Sequence, residues 1–321
     1  MRIVFFGTPD YVIPVLEMLH REFKSDDGST SIVALVTQSP KESGRKKELS
    51  YSAVDTWGFK YNERKSDKGK KIPVFFDASD LTRKGIEADI GVLAAYGKIL
   101  SPTIINHFPN GIINIHPSLL PDLRGASPLQ AAIAAGMTTT GVSFMKMDEL
   151  MDHGPIISSF KEEIAADDTL ESLHTRVFER SAEVLTGLIP AYIAGKTNIK
   201  KQNHYKATFT KLIQRDHGFI DWKYIKLALS GKESDDPWNI PFVEDFVTAY
   251  SPESIHRYIR ALTPWPGVWT IVPDGAPETK PHAHGQRLKI HSARLVERRL
   301  IPDRVQLEGK DETGWKNVVN K

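Results

Sequence analysis

Short runs of apolar residues recur along the first half of the chain, separated by segments of mixed polarity. The runs occupy residues 2–7, 31–37, 72–76, 89–95, 112–116 and 141–147. Each run is apolar at nearly every position and not only at every second one, which is typical of strands that are buried on both faces. We therefore predict a strand at each of these places.

Helical spacing fills several of the gaps between the runs. Residues 12–19 carry apolar side chains at intervals of three and four, Pro128 and Gly136 bracket a second predicted helix, and a third covers residues 169–187. Strands that alternate with helices predict an α/β fold with a Rossmann-like, doubly wound and mostly parallel sheet. The first turn, FFGTPD, has one glycine and lacks the G-x-G-x-x-G pattern, so no dinucleotide site is predicted.

Candidate chemistry lies at the end of the strand predicted for residues 112–116. Asn114 and His116 are two positions apart, so their side chains share one face of the strand, which Pro117 then ends. Ligands of open α/β sheets bind outside the carboxyl ends of the strands, and we predict that loop 118–125 borders such a cleft. A structural Asn or His with satisfied hydrogen bonds would fit the same pattern, and the strand alone leaves both interpretations open.

The composition is that of a folded globular protein with room for two domains: 321 residues, 40% hydrophobic and 26% charged. There is no cysteine, which excludes disulfides and thiolate metal sites and suits the cytoplasm. The opening MRIVFFGTPD predicts a strand and not a signal peptide. No apolar run approaches the roughly 20 residues that span a bilayer, so we expect no membrane partner.

Positive charge is concentrated in three windows, although the net charge is only +2. Lys and Arg outnumber Asp and Glu by ten to five in residues 41–71, by six to one in residues 195–217 and by nine to five in residues 287–321. Clustered cations are what contact with a nucleic-acid backbone requires. A solvated protein surface has the same composition, so charge alone leaves both interpretations open.

A longer pattern connects the polar candidates. Between residues 114 and 154 the chain reads N-x-H-x-S-L-L-P, then R-G-x-x-P, G-V-S, M-D and D-x-G. This pattern resembles the signature of the folate-dependent formyltransferases. The resemblance implies that Asn114, His116 and Asp152 are catalytic and that the formyl donor is 10-formyltetrahydrofolate. The implied folate contacts are Ala95, Tyr96, Gly97, Ser118, Leu119, Leu120, Pro121 and Asp148.

The same resemblance implies a direct transfer in which the acceptor amine is the nucleophile. His116 would take up a proton, Asp152 would orient the imidazole, and Asn114 would donate a hydrogen bond to the developing oxyanion. Arg124, at the edge of the predicted cleft, has three candidate partners: a folate carboxylate, a phosphate and a neighbouring Asp. No metal site is predicted, because no third firm ligand accompanies His116 and Asp152.

FFGTPDYVIPVL, at residues 5–16, narrows the resemblance to the branch of the family that formylates methionyl initiator tRNA. Residues 37–50, TQSPKESGRKKELS, resemble the basic loop that this branch directs toward the tRNA acceptor stem, although Ser39-Pro40 replaces its usual Pro-Asp. We expect a cytoplasmic monomer with folate and initiator methionyl-tRNA as partners. The implied tRNA contacts are Arg45, Lys46, Lys47 and Lys211.

Two other functions compete with this interpretation. A nucleotide-sugar N-formyltransferase would use the same Asn, His and Asp on a sugar amine, and a non-catalytic RNA-binding protein could retain the fold. FGTPD and the positive windows favour tRNA over a sugar. The complete set of Asn114, His116 and Asp152 favours an enzyme.

The resemblance also predicts two domains, a catalytic domain at residues 1–205 and a β-rich tRNA-binding domain at residues 206–321. IRALTPWPGVW, at residues 259–269, resembles the start of an OB-like C-terminal domain, and the short remaining chain predicts a reduced barrel. Residues 223–250 are longer and more acidic than in the family and are interpreted as an insertion.

Overall fold

The computed structural model describes residues 1–25, 28–43, 47–64, 70–273 and 285–319, which form two compact units. Unit 1 comprises residues 1–124, 141–162 and 174–207, and unit 2 comprises residues 125–140, 163–173 and 208–321. Among the described residues, no helix has both the length and the apolar character needed to cross a membrane.

A seven-stranded sheet forms the centre of unit 1. Its order is β10-β9-β7-β6-β1-β2-β5; the five strands β1, β2, β5, β6 and β7 run parallel, and β9 is antiparallel to β7. All six predicted strands are present, and the mostly parallel sheet is confirmed. The strands as far as residue 163 are β1 (Ile3–Gly7), β2 (Ile32–Val36), β3 (Lys41–Ser43), β4 (Glu48–Ser50), β5 (Val74–Phe75), β6 (Ile90–Ala94), β7 (Ile112–His116), β8 (Arg124–Gly125), β9 (Thr139–Lys146) and β10 (Ile156–Glu163).

The core of unit 1 lies against both faces of this sheet. Every residue of β1, β6 and β7 is buried, as the continuous apolar runs predict. Phe6 makes edge-to-face contacts with Tyr96 and Phe108, at ring-centroid distances of 5.8 and 6.0 Å. This packing joins β1 to the segment that follows β6 and to the segment that precedes β7.

Six helices lie in this part of the chain: α1 (Ile13–Glu22), α2 (Ala53–Glu63), α3 (Asp80–Arg83), α4 (Pro102–Ile105), α5 (Pro128–Ala134), which belongs to unit 2, and α6 (Leu170–Ile193). Helix α2 begins where the Ser52 hydroxyl accepts a hydrogen bond from the Asp55 amide at 3.0 Å. Helix α6 extends past the predicted end at residue 187 and through Pro190. Leu188 and Ile189 are still buried there, so the apolar stripe and the helix continue together.

Unit 2 is built around a four-stranded antiparallel sheet of order β14-β15-β16-β17. This sheet is the predicted β-rich domain. Helix α8 starts with reciprocal Ser251 and Ser254 caps and buries one face, including Ile255 and Tyr258. The elements of this part of the chain are β11 (Phe209–Thr210), α7 (Trp222–Leu229), β12 (Ser234–Asn239), β13 (Val247–Tyr250), α8 (Pro252–Leu262), β14 (Val268–Val272), β15 (Gln286–Val296), β16 (Arg299–Leu307), β17 (Thr313–Gly314) and α9 (Lys316–Val319).

The acidic segment 223–250 is folded within unit 2. It supplies most of α7 and the antiparallel pair β12 and β13. Trp238 is only 5% exposed, stacks on Tyr250 at a centroid distance of 4.6 Å, and meets the ring of Tyr258 edge-on at 4.6 Å. A buried tryptophan thus anchors a segment whose charges lie mostly on its surface.

Helix α6 places His174 beside the turn that follows β1. The His174 ring stacks on Tyr11 with centroids 4.0 Å apart and an interplanar angle of 9°. Burial lowers the pKa of His174 to about 4, although Asp10 opposes the shift, and burial raises the pKa of Tyr11 to about 12. Both side chains are therefore neutral in the folded protein near pH 7.

Acid should destabilise the fold through His174. Below its ordinary pKa of 6.5 the unfolded chain takes up a proton that the folded chain does not, so stability falls as the pH drops from 6.5 toward 4. Between pH 7 and 5 we expect this residue to cost about 2 kcal/mol in the free energy of unfolding. Urea denaturation of the wild type and of His174→Phe, which keeps an aromatic ring against Tyr11, measures the difference. Equal losses in the two proteins would contradict the expectation.

Candidate functional site

Strand β7 places Asn114 and His116 at the centre of the sheet. The strand lies between β6 and β9, with Leu93 opposite Asn114 on one side and Ser143 opposite His116 on the other. Asn114 and His116 are 7% and 5% exposed. The two-residue period thus brings both polar side chains to the buried end of one strand, as predicted.

The His116 ring lies between two oxygen atoms from different loops. Its Nδ1 is 3.5 Å from Asp152 Oδ1, and its Nε2 is 3.1 Å from the carbonyl oxygen of Leu123. A carbonyl oxygen can only accept a hydrogen bond, so the Leu123 contact assigns the proton to Nε2. An imidazolium formed here would direct both of its N–H groups at oxygen acceptors.

Asp152 joins the two strand residues. The Asn114 amide nitrogen Nδ2 donates to Asp152 Oδ1 at 3.3 Å, the same oxygen that faces His116. The three residues implied by the resemblance are therefore brought together, across 38 positions of sequence.

Both loops that reach His116 use left-handed backbone. Leu123 has φ of 54° and Asp152 has φ of 48°. Such conformations cost about 1–3 kcal/mol each in residues other than glycine and persist where the surrounding structure holds them. The two oxygen atoms are thus held at the ring by their surroundings and not by local preference.

Arg124 is buried at the end of the loop that contributes Leu123. It is 4% exposed and donates to Gln202 and, through Nη2 at 2.8 Å, to His204 Nδ1. Of the three partners that the sequence suggested, a neighbouring Asp is represented by Asp152 and Asp148, which interact electrostatically with Arg124. Burial lowers the pKa of Arg124, while Asp152 and Asp148 act in the opposite direction.

Ser143 organises the loop that follows β7. Its hydroxyl donates to the Ser118 carbonyl oxygen at 2.8 Å and accepts from the Leu120 amide at 2.9 Å. Ser143 is fully buried. The G-V-S part of the family pattern contained this residue, but its role as a bridge was not predicted.

The residues implied as folate contacts follow β6 and β7 in unit 1. Ala95 and Gly97 have positive φ, and the Tyr96 carbonyl between them accepts from the Thr8 hydroxyl at 3.0 Å and from Gln38 Nε2 at 3.1 Å. The remaining candidates are Ser118, Leu119, Leu120 and Pro121, which form the loop after β7, and Asp148, which follows β9.

Asp148 belongs to a polar cluster in the same unit. Its Oδ2 lies 2.7 Å from His153 Nδ1, and the His153 ring stacks on His204 with centroids 3.9 Å apart. Desolvation lowers the pKa of His204, the neighbouring His153 and Arg124 lower it further, and Asp148 opposes the shift. Within the part of the chain that the structure describes, no group of His, Asp and Glu is arranged to hold a metal ion.

The implied tRNA contacts are only partly described. Arg45 and Lys46 lie outside the described residues. Lys47, in unit 1, is exposed and has its Nζ 3.8 Å from Glu42 Oε2. Lys211, in unit 2, is exposed and has its Nζ 3.6 Å from Glu244 Oε1. Both described lysines are accessible to a polyanion.

Removing the Ser143 hydroxyl should destabilise unit 1. Ser143→Ala leaves the Ser118 carbonyl and the Leu120 amide without their buried partner, at an expected cost of about 1–3 kcal/mol in the free energy of unfolding. Urea denaturation followed by circular dichroism measures the cost. Ser50→Ala, at an exposed position, is the control and should change stability by less than about 0.5 kcal/mol. Equal effects of the two changes would refute the bridge.

Two family models match the chain. The model described as formyl transferase matches residues 1–189, and the model described as formyl transferase, C-terminal domain, matches residues 249–310. Methionyl-tRNA formyltransferase from Chloroflexus aggregans is 30% identical over 297 residues, which cover 92% of this chain and 81% of that protein. The enzyme of the same name from Halalkalibacterium halodurans is 35% identical over 277 residues, covering 84% and 74%.

Solved structures of the family share the fold. Methionyl-tRNA formyltransferase from Clostridium thermocellum aligns with a TM-score of 0.52 and 18% identity, covering 96% of this chain and 98% of that one. A 4-N formyltransferase from Francisella tularensis aligns with a TM-score of 0.57 and 17% identity, covering 86% and 94%. The resemblance inferred from the sequence pattern is confirmed by the family models and by the identity to curated relatives. This chain is therefore an enzyme of the formyltransferase family and belongs to the methionyl-tRNA formyltransferases within it.

Proposed function

We propose that this enzyme transfers the formyl group of 10-formyltetrahydrofolate to the α-amine of methionyl initiator tRNA, in support of translation initiation in the cytoplasm. The observation that carries the proposal is the buried His116 ring, held between Asp152 and the Leu123 carbonyl beside the Asn114 amide. The names of the curated relatives support methionyl-tRNA as the acceptor.

His116 is proposed as the general base. A free α-amine has a pKa of about 7.7–8, so much of it is protonated near neutral pH and a base must take up a proton before or during attack. Proton uptake by His116 gives an imidazolium whose two N–H groups face Leu123 and Asp152. The Nδ1 contact of 3.5 Å is longer than a good hydrogen bond, as is common for catalytic contacts before substrate binds.

Asn114 is proposed to stabilise the oxygen that gains charge when the amine attacks the formyl carbon. One N–H of its amide donates to Asp152, and no hydrogen bond among the described residues uses the second. A preorganised donor of this kind typically contributes about 3–4 kcal/mol to the transition state. Asp152 then has two roles. It accepts a hydrogen bond from the Asn114 amide, and it faces Nδ1 of His116 once the ring has become an imidazolium.

The folate donor supplies the formyl group as a carbonyl bound to nitrogen. Its proposed contacts follow β6, β7 and β9: Ala95, Tyr96, Gly97, Ser118, Leu119, Leu120, Pro121 and Asp148. Ala95, which is partly exposed, and Gly97, which is exposed, have left-handed backbone and follow β6, the strand that pairs with β7. Ser118 and Leu120 are held by the Ser143 bridge, so this part of the proposed pocket is preformed.

The basic residues Arg45, Lys46, Lys47 and Lys211 are proposed to contact the tRNA acceptor stem. We further propose that residues 1–205 carry catalysis, that residues 206–321 contribute to tRNA binding, and that the enzyme acts as a monomer. Phosphate contacts release counterions, so affinity for tRNA should fall steeply as salt rises.

Formyl-transfer assays test the acceptor and the site together. With 10-formyltetrahydrofolate as donor we expect product from charged initiator tRNA and none from amino-sugar nucleotides. Asn114→Ala should lower kcat about 100- to 1000-fold, because it removes the proposed oxyanion donor. Asn110→Ala is the control. Asn110 lies two residues before β7, and its side chain donates to the Asp89 carbonyl, so its loss should affect stability and not turnover.

Each outcome of these assays has a distinct meaning. Near wild-type turnover by Asn114→Ala would exclude the proposed oxyanion contact. If product forms only on the amino-sugar nucleotide, the acceptor is the sugar amine and not methionyl-tRNA. Retained tRNA affinity without turnover on either acceptor would favour a binding protein.

A further inference from the structure

Gln202 lies between the two loops that reach His116. Its side-chain oxygen accepts from Arg124 Nη2 at 2.6 Å and from Arg124 Nε at 3.2 Å. Its side-chain nitrogen donates to the carbonyl oxygens of Asp152 at 2.9 Å and Gly154 at 2.7 Å. Gln202 is 6% exposed, so these four bonds form away from solvent.

The four partners fix the orientation of this amide. A guanidinium can only donate and a carbonyl oxygen can only accept, so the oxygen of Gln202 must face Arg124 and its nitrogen must face Asp152 and Gly154. The opposite orientation would place N–H groups against a cation and oxygen against oxygen. Both N–H groups and the oxygen of the amide are therefore used.

The main chain around Gln202 is also tied to unit 1. Lys200 and Ile156 exchange two backbone hydrogen bonds of 2.8 Å, which place the Gln202 segment beside the start of β10. Gly154 packs so closely that a Cβ there would lie 1.9 Å from the Lys146 carbonyl oxygen. The glutamine thus acts from an anchored segment on a tightly packed turn.

We propose that Gln202 is a positioning residue for the general base. Through Arg124 it holds the end of the loop whose Leu123 carbonyl faces His116 Nε2, and through the Asp152 carbonyl it holds the left-handed turn whose carboxylate faces His116 Nδ1. One amide therefore sets the separation of the two oxygen atoms between which the imidazole lies. This inference rests on the proposed role of His116 in formyl transfer.

Gln202→Met tests the bridge, because it keeps a side chain of similar length and removes all four hydrogen bonds. We expect kcat to fall about 10- to 100-fold, as is typical when a partner that orients a catalytic group is lost. KM for the folate should change less than twofold. A loss in kcat without a matching change in KM would place the defect in a step after substrate binding, as misplacement of the general base requires.

If the role of Gln202 is purely structural, the variants should give a different result. Asn62→Leu is the matched control, since the Asn62 amide also bridges main-chain groups of unit 1, with two bonds of 2.8 Å to Ile72. This control should lower the melting temperature and leave kcat unchanged. A Gln202→Met enzyme that is less stable but has the wild-type kcat would overturn the proposal.

Gln202→Glu separates the two halves of the bridge. A carboxylate still accepts from Arg124 but has no N–H for the Asp152 and Gly154 carbonyls, so we expect kcat to fall although the contact with Arg124 is kept. Wild-type turnover in this variant would show that the turn needs no support from Gln202 and would overturn the proposal.

A double-mutant cycle with Asp152→Asn distinguishes failure of this inference from failure of the proposed function. Since part of the effect of Gln202 passes through Asp152, Gln202→Met should lower kcat less in the Asp152→Asn background than in the wild type. A full additional loss there would refute the positioning role alone. An Asp152→Asn enzyme with wild-type kcat would instead refute the proposed catalytic site.

Discussion

A buried imidazole needs polar partners at both of its nitrogen atoms, and the candidate site depends on how this chain supplies them. His116 is 5% exposed, so neither nitrogen can rely on solvent. Strand β7 cannot provide the partners, because its main-chain groups are used in the sheet. The chain instead brings a carbonyl from Leu123 and a carboxylate from Asp152, each held in left-handed backbone, to opposite sides of the ring. Ser143 and Gln202 then hold the loops that carry these groups.

Much of the catalytic unit follows from local sequence patterns. Continuous apolar runs predicted the parallel strands. A strand that is buried on both faces has no polar face, so it is apolar at consecutive positions. The two-residue period placed Asn114 and His116 together, and the family pattern added Asp152. These features depend on short-range periodicity or on a contiguous motif, both of which are visible in one chain.

The supports of the site could not be predicted in the same way. The Leu123 oxygen belongs to the main chain, which every residue possesses, so no residue type marks it. Gln202 lies 78 positions from Arg124 and outside the two ranges that the family models match. Likewise, the acidic composition of residues 223–250 suggested an insertion but did not indicate that Trp238, Ile240 and Phe242 are buried and anchor the segment in unit 2. These features depend on contacts between residues far apart in the sequence, and the periodicity of apolar residues does not indicate such contacts.

The protonation of the His116 ring tests the central claim most directly. Nitrogen chemical shifts of the ring can be measured by NMR in enzyme labelled with ¹⁵N-histidine, and comparison with His116→Gln assigns the signals. At a pH where the ring is neutral, the account predicts the tautomer with the proton on Nε2, because a lone pair 3.1 Å from the Leu123 carbonyl oxygen would be repelled. A neutral ring with its proton on Nδ1 and none on Nε2 would contradict the arrangement on which the proposed mechanism depends.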